Sequence, residues 1–416
     1  MAAQRIPAVR AAVQVLADEG VEIVFGCPGA ALLPLCTAMT EAGGIERLPA
    51  RHPEGALHMA HGWARTCGRP GVAAAAAGPG AARLLAGLYA ARQEAVPLVC
   101  LTGQEAAGER PATGPLHASG PPDLIRLAGP VTKRAERIED PARIPGAFRE
   151  AFRIAREGRP GPVLIDLPAD LAAAEIAAWS GVGSGRAVRA PQTAAGGREV
   201  PPPAPTDRTG PEGPGTPAPW PLTEIAEIFA ADGAPDTHLV GGAAGSWSLA
   251  ATRKGPGGGR WHHHPGTPGW EVPAAIGVRR ALDLRGERDA EVVVAVDGEE
   301  SPFLAEELAS AVRHEVPFVL LLHRPGHDGR GRRRDPCAPD EYLTDHVKLV
   351  EAYGCAGRDV VEPAELRSAV EWARKEAVST RRPVLVDVRT GPAGRPPGDA
   401  VSSPLHQHHH DPENTP

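Results

Sequence analysis

The chain of 416 residues lacks the short motifs that most directly announce a chemistry. It has no G-x-S-x-G elbow, no H-E-x-x-H and no G-x-x-x-x-G-K-[ST] loop, which removes the commonest serine hydrolase, zincin and P-loop readings. Its 6 cysteines, Cys27, Cys36, Cys67, Cys100, Cys337 and Cys355, form no C-x-x-C pair, so neither a zinc knuckle nor a redox motif is written. There is no excess of positive charge. A net charge of -7 argues against nucleic acid and anionic membrane as partners. No basic-then-apolar leader opens the chain, and no apolar run approaches the roughly 20 residues of a membrane span. The expectation is a cytoplasmic protein, with no nucleic acid or membrane partner. Asparagine is nearly absent too: Asn414 is the only one.

What is abundant is glycine and proline, 49 and 46 residues, beside a 42% hydrophobic content that suffices for a core. Ile6, Val9, Val13 and Leu16 fall at helical spacing and Gly20 follows as a stop. Val21 to Phe25 reads as a buried strand, followed by apolar runs at Val72 to Ala77, Leu98 to Thr102 and Val163 to Leu167. Stretches of helical length, such as Gly55 to Arg65 and Ala81 to Gln93, separate these runs. The rhythm restarts with a helix at Leu222 to Ala231 and strands at Thr237 to Val240, Val292 to Val296, Phe318 to Leu322 and Val384 to Val388. Strands alternating with helices predict an α/β fold with parallel sheets. Between the two halves, 17 of the 39 residues from Gly181 to Pro219 are Gly or Pro, the composition of a linker. The division expected is 1–178, a linker over 179–219, 220–392, and a disordered tail over 393–416. Neither half repeats the sequence of the other.

Several segments carry chemistry because they lie where such sheets end, at the carboxyl ends of strands. Gly78-Pro79-Gly80-Ala81-Ala82-Arg83 follows a strand and opens a helix, but its final Arg makes it a poor dinucleotide fingerprint. The longer series is more specific. It runs Val24-Phe25-Gly26-Cys27-Pro28-Gly29-Ala30, Ala50-Arg51-His52-Pro53-Glu54-Gly55-Ala56, His61-Gly62-Trp63-Ala64-Arg65, Gly78-Pro79-Gly80 and Leu101-Thr102-Gly103-Gln104. This order resembles the pyrimidine-binding domain of the thiamine diphosphate enzymes related to acetolactate synthase. Within them it is most similar to the glyoxylate carboligase group, also through Gly158-Arg159-Pro160-Gly161-Pro162-Val163-Leu164. In the second half, Gly266-Thr267-Pro268-Gly269-Trp270 and Val272-Pro273-Ala274-Ala275-Ile276-Gly277 resemble the cofactor-proximal loop and helix of the diphosphate-binding domain.

The resemblance implies thiamine diphosphate held by Pro28, Gly29 and Gly78 from the first half, and by Gly242, Ala243, Gly266, Thr267, Pro268 and Gly298 from the second. Most relatives place a Glu against the pyrimidine ring. That slot falls at Pro53, with Glu54 one residue later, as in the glyoxylate carboligase group, where an apolar residue precedes a Glu. Proline also removes its own N–H. The family anchors the diphosphate through Mg²⁺, which prefers hard oxygen ligands. Here Glu299 takes the Asp slot, and the Asn end of the motif falls in Leu322-His323-Arg324-Pro325, where no Asn stands. Arg324 there would repel a cation but could pair with a diphosphate through its bidentate edge. One of His262 to His264, just before Gly266, is a further acid–base candidate.

The central domain of full-length relatives has no counterpart in the linker, so flavin is not expected. The two halves must meet through the connector or across a homodimer or homotetramer. The activity implied is carboligation or decarboxylation of small 2-oxo acids. The other reading is a degenerate homologue that serves as a binding or regulatory partner.

Overall fold

A computed structural model describes residues 5–27, 29–75, 78–104, 123–178, 228, 237–242, 260–264, 269–297, 305–325 and 344–390. The linker, the tail and the helix expected at Leu222 to Ala231, apart from Ile228, lie outside them.

The first half runs β1 (Arg5–Pro7), α1 (Ala8–Asp18), β2 (Ile23–Cys27), α2 (Leu33–Ala42), β3 (Glu46–Pro49), α3 (Pro53–Cys67), β4 (Gly71–Ala75), α4 (Pro79–Ala82) and α5 (Leu84–Gln93). It continues with β5 (Leu98–Gln104), α6 (Leu124–Ala128), β6 (Arg134–Arg137), α7 (Ile144–Arg156), β7 (Pro162–Pro168), α8 (Ala169–Ala173) and β8 (Glu175–Ala177). The second half runs β9 (Thr237–Gly242), β10 (Arg260–His264), α9 (Glu271–Leu284), β11 (Glu291–Asp297), α10 (Glu307–Arg313) and β12 (Val319–Pro325). Its last elements are α11 (His346–Ala352), β13 (Ala356–Val360), α12 (Pro363–Thr380) and β14 (Val384–Thr390).

Each half builds a 6-stranded sheet, in the order β3-β2-β4-β5-β7-β6 and β10-β9-β11-β12-β14-β13, with every pair parallel. Counted within its own half, each sheet has the same strand order, so two halves without a shared sequence pattern share one topology. The short pair β1 and β8 runs antiparallel, Ile6 opposite Ile176, and ties the start of the first half to its end.

Alternation along the central strands sorts side chains into three cores. Val99, Leu101, Val163 and Ile165 face outward onto α1, α2 and α7 through Val13, Leu35 and Phe148. Val293, Leu321 and Val386 face outward on the other sheet, onto α12 through Leu366 and Val370. The inward residues of both sheets, Phe25 and Cys100 on one side and Val294 and Leu320 on the other, join a single cluster with α3, α5, α9 and α10. The halves of one chain therefore bury a common core. Helices α3 and α9 form its middle layer.

That layer is closer than ordinary helix packing, because glycine stands at both contacts. A Cβ on Gly62 would sit 2.2 Å from the Ala274 carbonyl oxygen, and one on Gly277 would sit 1.9 Å from the Met59 carbonyl oxygen. Neither clash can be relieved by a rotamer change, since the obstacle is backbone. Gly62→Ala and Gly277→Ala are each expected to cost about 1–3 kcal/mol or more. The check is the urea unfolding midpoint; an unchanged midpoint for both would show that the seam does not hold the halves together.

Candidate functional site

In a parallel sheet, ligands sit at the carboxyl ends of the strands, at the point where the chain reverses its direction of winding. In the first sheet that point lies between β2 and β4, in the second between β9 and β11. The first is framed by Gly29, which precedes a turn of 3₁₀ helix, and by Gly78, whose φ of 76° lets the chain turn from β4 into α4. The second is framed by the strand ends Gly241-Gly242 and Asp297. Residues Pro28, Ala243, Gly266, Thr267, Pro268, Gly298 and Glu299 lie outside the described residues.

Pro53 is the first residue of α3, and His52 caps the helix through Nδ1, which accepts from the Glu54 N–H at 3.2 Å. The next turn of α3 places His58 Nε2 3.6 Å from Glu54 Oε1. The hydrogen bond from His58 outweighs burial and holds Glu54 below its usual range, with His52 and Arg83 adding to the effect. Glu54 is therefore an anion at neutral pH.

A second carboxylate reaches this turn from the other half. Glu307, on α10 and fully buried, accepts from the Arg51 N–H at 3.1 Å, the His52 N–H at 2.9 Å and Ser310 Oγ at 2.9 Å. Gly55 makes room for it, since a Cβ there would meet Glu307 Oε1 at 2.2 Å. Burial raises the Glu307 carboxyl above its usual range, and the Arg51 and His52 N–H groups offset part of that rise. A negative group at the start of a helix is also favoured by the helix dipole. Sequence reading passed over Glu307. The available signal was an acidic residue at helical spacing beside the apolar Leu308 and Ala311.

Farther along α3, Trp270 Nε1 donates to His61 Nδ1 at 3.1 Å, with the rings edge to face. Nδ1 is thereby the acceptor, which puts the imidazole proton on Nε2, 3.3 Å from Glu94 Oε2. Burial, with Arg65 and His58 nearby, pushes the His61 pKa well below its ordinary value, so the ring stays neutral. Directly after Trp270 comes Glu271, which opens α9 and is 4% exposed. Among the described residues its Oε2 has no hydrogen-bond partner. Burial pushes the carboxyl up to about 7, against the Glu271 and Gly269 N–H groups.

Arg324, at the end of β12, pairs with Asp387 on β14 through Nε to Oδ1 at 2.8 Å and Nη2 to Oδ2 at 2.5 Å. Burial raises the Asp387 pKa, but hydrogen bonds from His346 and Arg324 outweigh it and leave the carboxylate ionised. The bidentate edge that a diphosphate would use is thus already paired with Asp387. His262 is buried, its Nε2 3.0 Å from His238 Nδ1 in a stacked pair, while the side chains of His263 and His264 lie outside the described set.

The comparison with known proteins bears on what these two strand-end sites hold. Residues 7–123 match the model of the thiamine pyrophosphate enzyme N-terminal TPP binding domain, and residues 242–388 match that of the C-terminal TPP binding domain. The chain belongs to the thiamine pyrophosphate enzyme family. Glyoxylate carboligase of Escherichia coli O157:H7 is 41% identical over 175 residues, 41% of this chain and 28% of that protein. The acetolactate synthase large subunit of Lactococcus lactis subsp. lactis (strain IL1403) is 41% identical over 167 residues, 39% of this chain and 28% of that protein. The alignments thus span under a third of these relatives. Among solved structures, the Rhodococcus jostii RHA1 thiamine diphosphate-dependent 4-hydroxybenzoylformate decarboxylase aligns with a TM-score of 0.67 at 16% identity, over 94% of this chain and 100% of that one. That likeness is one of fold. Among the described residues no helix is long and apolar enough to cross a membrane.

The described residues suit thiamine diphosphate. Backbone-rich strand ends and a buried carboxyl with an orphaned oxygen suit an extended ligand that spans both halves. Among the described residues no group of three or more His, Cys, Asp or Glu side chains converges, and Gly298 and Glu299, the positions expected to face Mg²⁺, lie outside them.

Two predictions follow from the carboxylates. Glu307→Ala removes the acceptor of two backbone N–H groups and should cost about 2–4 kcal/mol in urea unfolding, with Glu307→Gln costing less because one oxygen remains. Glu271 carries a sign that can be worked out: its folded value of about 7 exceeds the ordinary 4.5, so its stabilising share is full below 4.5 and is lost as pH rises through 7. Against Glu271→Gln, the protein should lose about 2–3 kcal/mol of unfolding free energy between pH 4.5 and 8. Parallel pH curves for the two proteins would contradict this.

Proposed function

We propose that the protein binds thiamine diphosphate between its halves and acts on small 2-oxo acids by decarboxylation or carboligation. The observation that carries this reading is the α3 and α9 seam. It fuses two halves of identical topology into one core and fixes the Pro53-Glu54 turn against the second half through Glu307. The relatives named above, a glyoxylate carboligase and an acetolactate synthase subunit, support the substrate class.

When bound, thiamine diphosphate supplies the carbon nucleophile and the electron sink for loss of CO₂. The chain's own part is positioning and proton control. Gly242, Ala243, Gly266, Thr267, Pro268 and Gly298 are the proposed backbone contacts from the second half, and Pro28, Gly29 and Gly78 those from the first. Pro53 carries no proton, so a ring placed beside it meets a fixed apolar wall. Glu54, ionised and paired with His58, can only accept a proton there. Glu299 is the one candidate Mg²⁺ ligand proposed, and Mg²⁺ binding should be correspondingly weak. The seam closes within one chain, and assembly into a homodimer or homotetramer is proposed beyond it.

Isothermal titration with thiamine diphosphate, with and without Mg²⁺, is expected to show saturable binding below millimolar cofactor, with at most a few-fold gain from the metal. The loaded protein should release CO₂ from glyoxylate or pyruvate. No binding at millimolar cofactor would overturn the proposal.

A further inference from the structure

Glu271 is placed as few surplus carboxyls are. It is 4% exposed, it is the first residue of a helix of 14 residues, and it immediately follows the Gly266 to Trp270 segment. Its neighbour Trp270 is locked to His61 across the seam, which fixes the start of α9 against α3. A buried polar oxygen without a partner is rare and costs about 1–3 kcal/mol, so its persistence calls for an explanation. Among the described residues Glu271 Oε2 is such an atom. No neighbouring charge is among the causes of its shift. The titratable groups on the elements packed against α9 are Glu54, His58, His61, Arg65 and Cys67 of α3, His238 of β9, Glu291 and Asp297 of β11, and Glu307 and Arg313 of α10, while Arg279, Arg280 and Asp283 lie on α9 itself. The His61 ring is neutral and already engaged by Trp270.

We propose that Glu271 is a proton-carrying residue of the cofactor site, with Oε2 turned to a hydrogen-bond acceptor of the bound ligand. This rests on the proposed binding of thiamine diphosphate between the halves. The acceptor is either a ring nitrogen of the cofactor's aminopyrimidine or the oxo oxygen of a 2-oxo acid. Both are met by a neutral carboxyl that donates through O–H. In the substrate case, the oxo carbon gains a bond, its carbonyl electron pair moves onto oxygen, the Oε2–H bond breaks and an O–H bond forms. Glu271 is left as a carboxylate, and it regains that proton when the carbonyl reforms in the product. Near neutral pH a carboxyl with its pKa at about 7 exchanges a proton in either direction at little cost. The role complements Pro53, which brings no proton to the slot where most relatives carry a Glu.

The test is difference infrared spectroscopy of the full chain across pH 5 to 9, following the carbonyl band of a protonated buried carboxyl. Glu271→Gln assigns the band by its loss. A band with a midpoint near 7 should move up by a pH unit or more, a tenfold preference for the protonated form, when the acceptor is present. Movement with thiamine diphosphate alone identifies the ring nitrogen, and movement only after pyruvate is added identifies the oxo oxygen. Calorimetry on the same samples supplies a second readout. Where the cofactor is the acceptor and the midpoint moves up by one unit, its affinity should fall about threefold from pH 7 to 8 in the wild type and stay flat in Glu271→Gln. If the variant does not fold, Glu271→Asp and the wild-type titration still decide. Saturable cofactor binding with a band that neither ligand moves would overturn the role of Glu271 and leave the proposed function standing. Absence of cofactor binding by the wild type would overturn both.

Discussion

The approach of α3 to α9 is the constraint on which the rest of this molecule depends. Two glycines, Gly62 and Gly277, let backbone meet backbone where any side chain would collide with a carbonyl oxygen. Once that distance is set, the inner faces of both sheets close over the same pair of helices and share one core. The strand-end sites inherit their relative placement from it. A wider seam would withdraw Glu307 from the Arg51 and His52 amides and Trp270 from His61.

Three buried carboxyls show how differently the fold can treat one functional group. Asp387 is neutralised in place by the Arg324 fork and stays ionised despite burial. Glu307 is satisfied by backbone amides and a hydroxyl, so it acts as a clamp between halves. Among the described residues Glu271 meets neither a cation nor a full set of donors, and burial pushes its carboxyl up to about 7. The difference lies in the partners each position meets, since all three are cut off from water to a similar degree. A buried charge without a counter-ion is costly unless it can take up a proton.

Of the two sheets, the eight strands read from apolar runs are the four central strands of each. The four that sequence reading passed over, β3, β6, β10 and β13, are the four edges. A central strand is covered on both faces and must be apolar along its length, while an edge such as Arg134–Arg137 or Ala356–Val360 can keep polar residues and leaves no continuous run. The site was legible in the same uneven way. Glycine-rich strand ends and the Pro53-Glu54 turn stand out because close backbone approach restricts which residues fit. Glu307 and Glu271 do not, because a lone acidic residue in a helix reads as solvated until its surroundings are known.

The sequence by itself determined the α/β class, the two halves, the central strands and the membership in a thiamine pyrophosphate enzyme family, since each follows from local periodicity or from motifs of fixed spacing. Tertiary structure alone decided that both halves wind with the same strand order and that they meet through paired glycines. It also decided which carboxyls are clamps, which are paired and which are left with an unfilled oxygen. The physical reason is distance in the chain: Arg51 and Glu307, or His61 and Trp270, are more than 200 residues apart, and only the fold brings their atoms into contact.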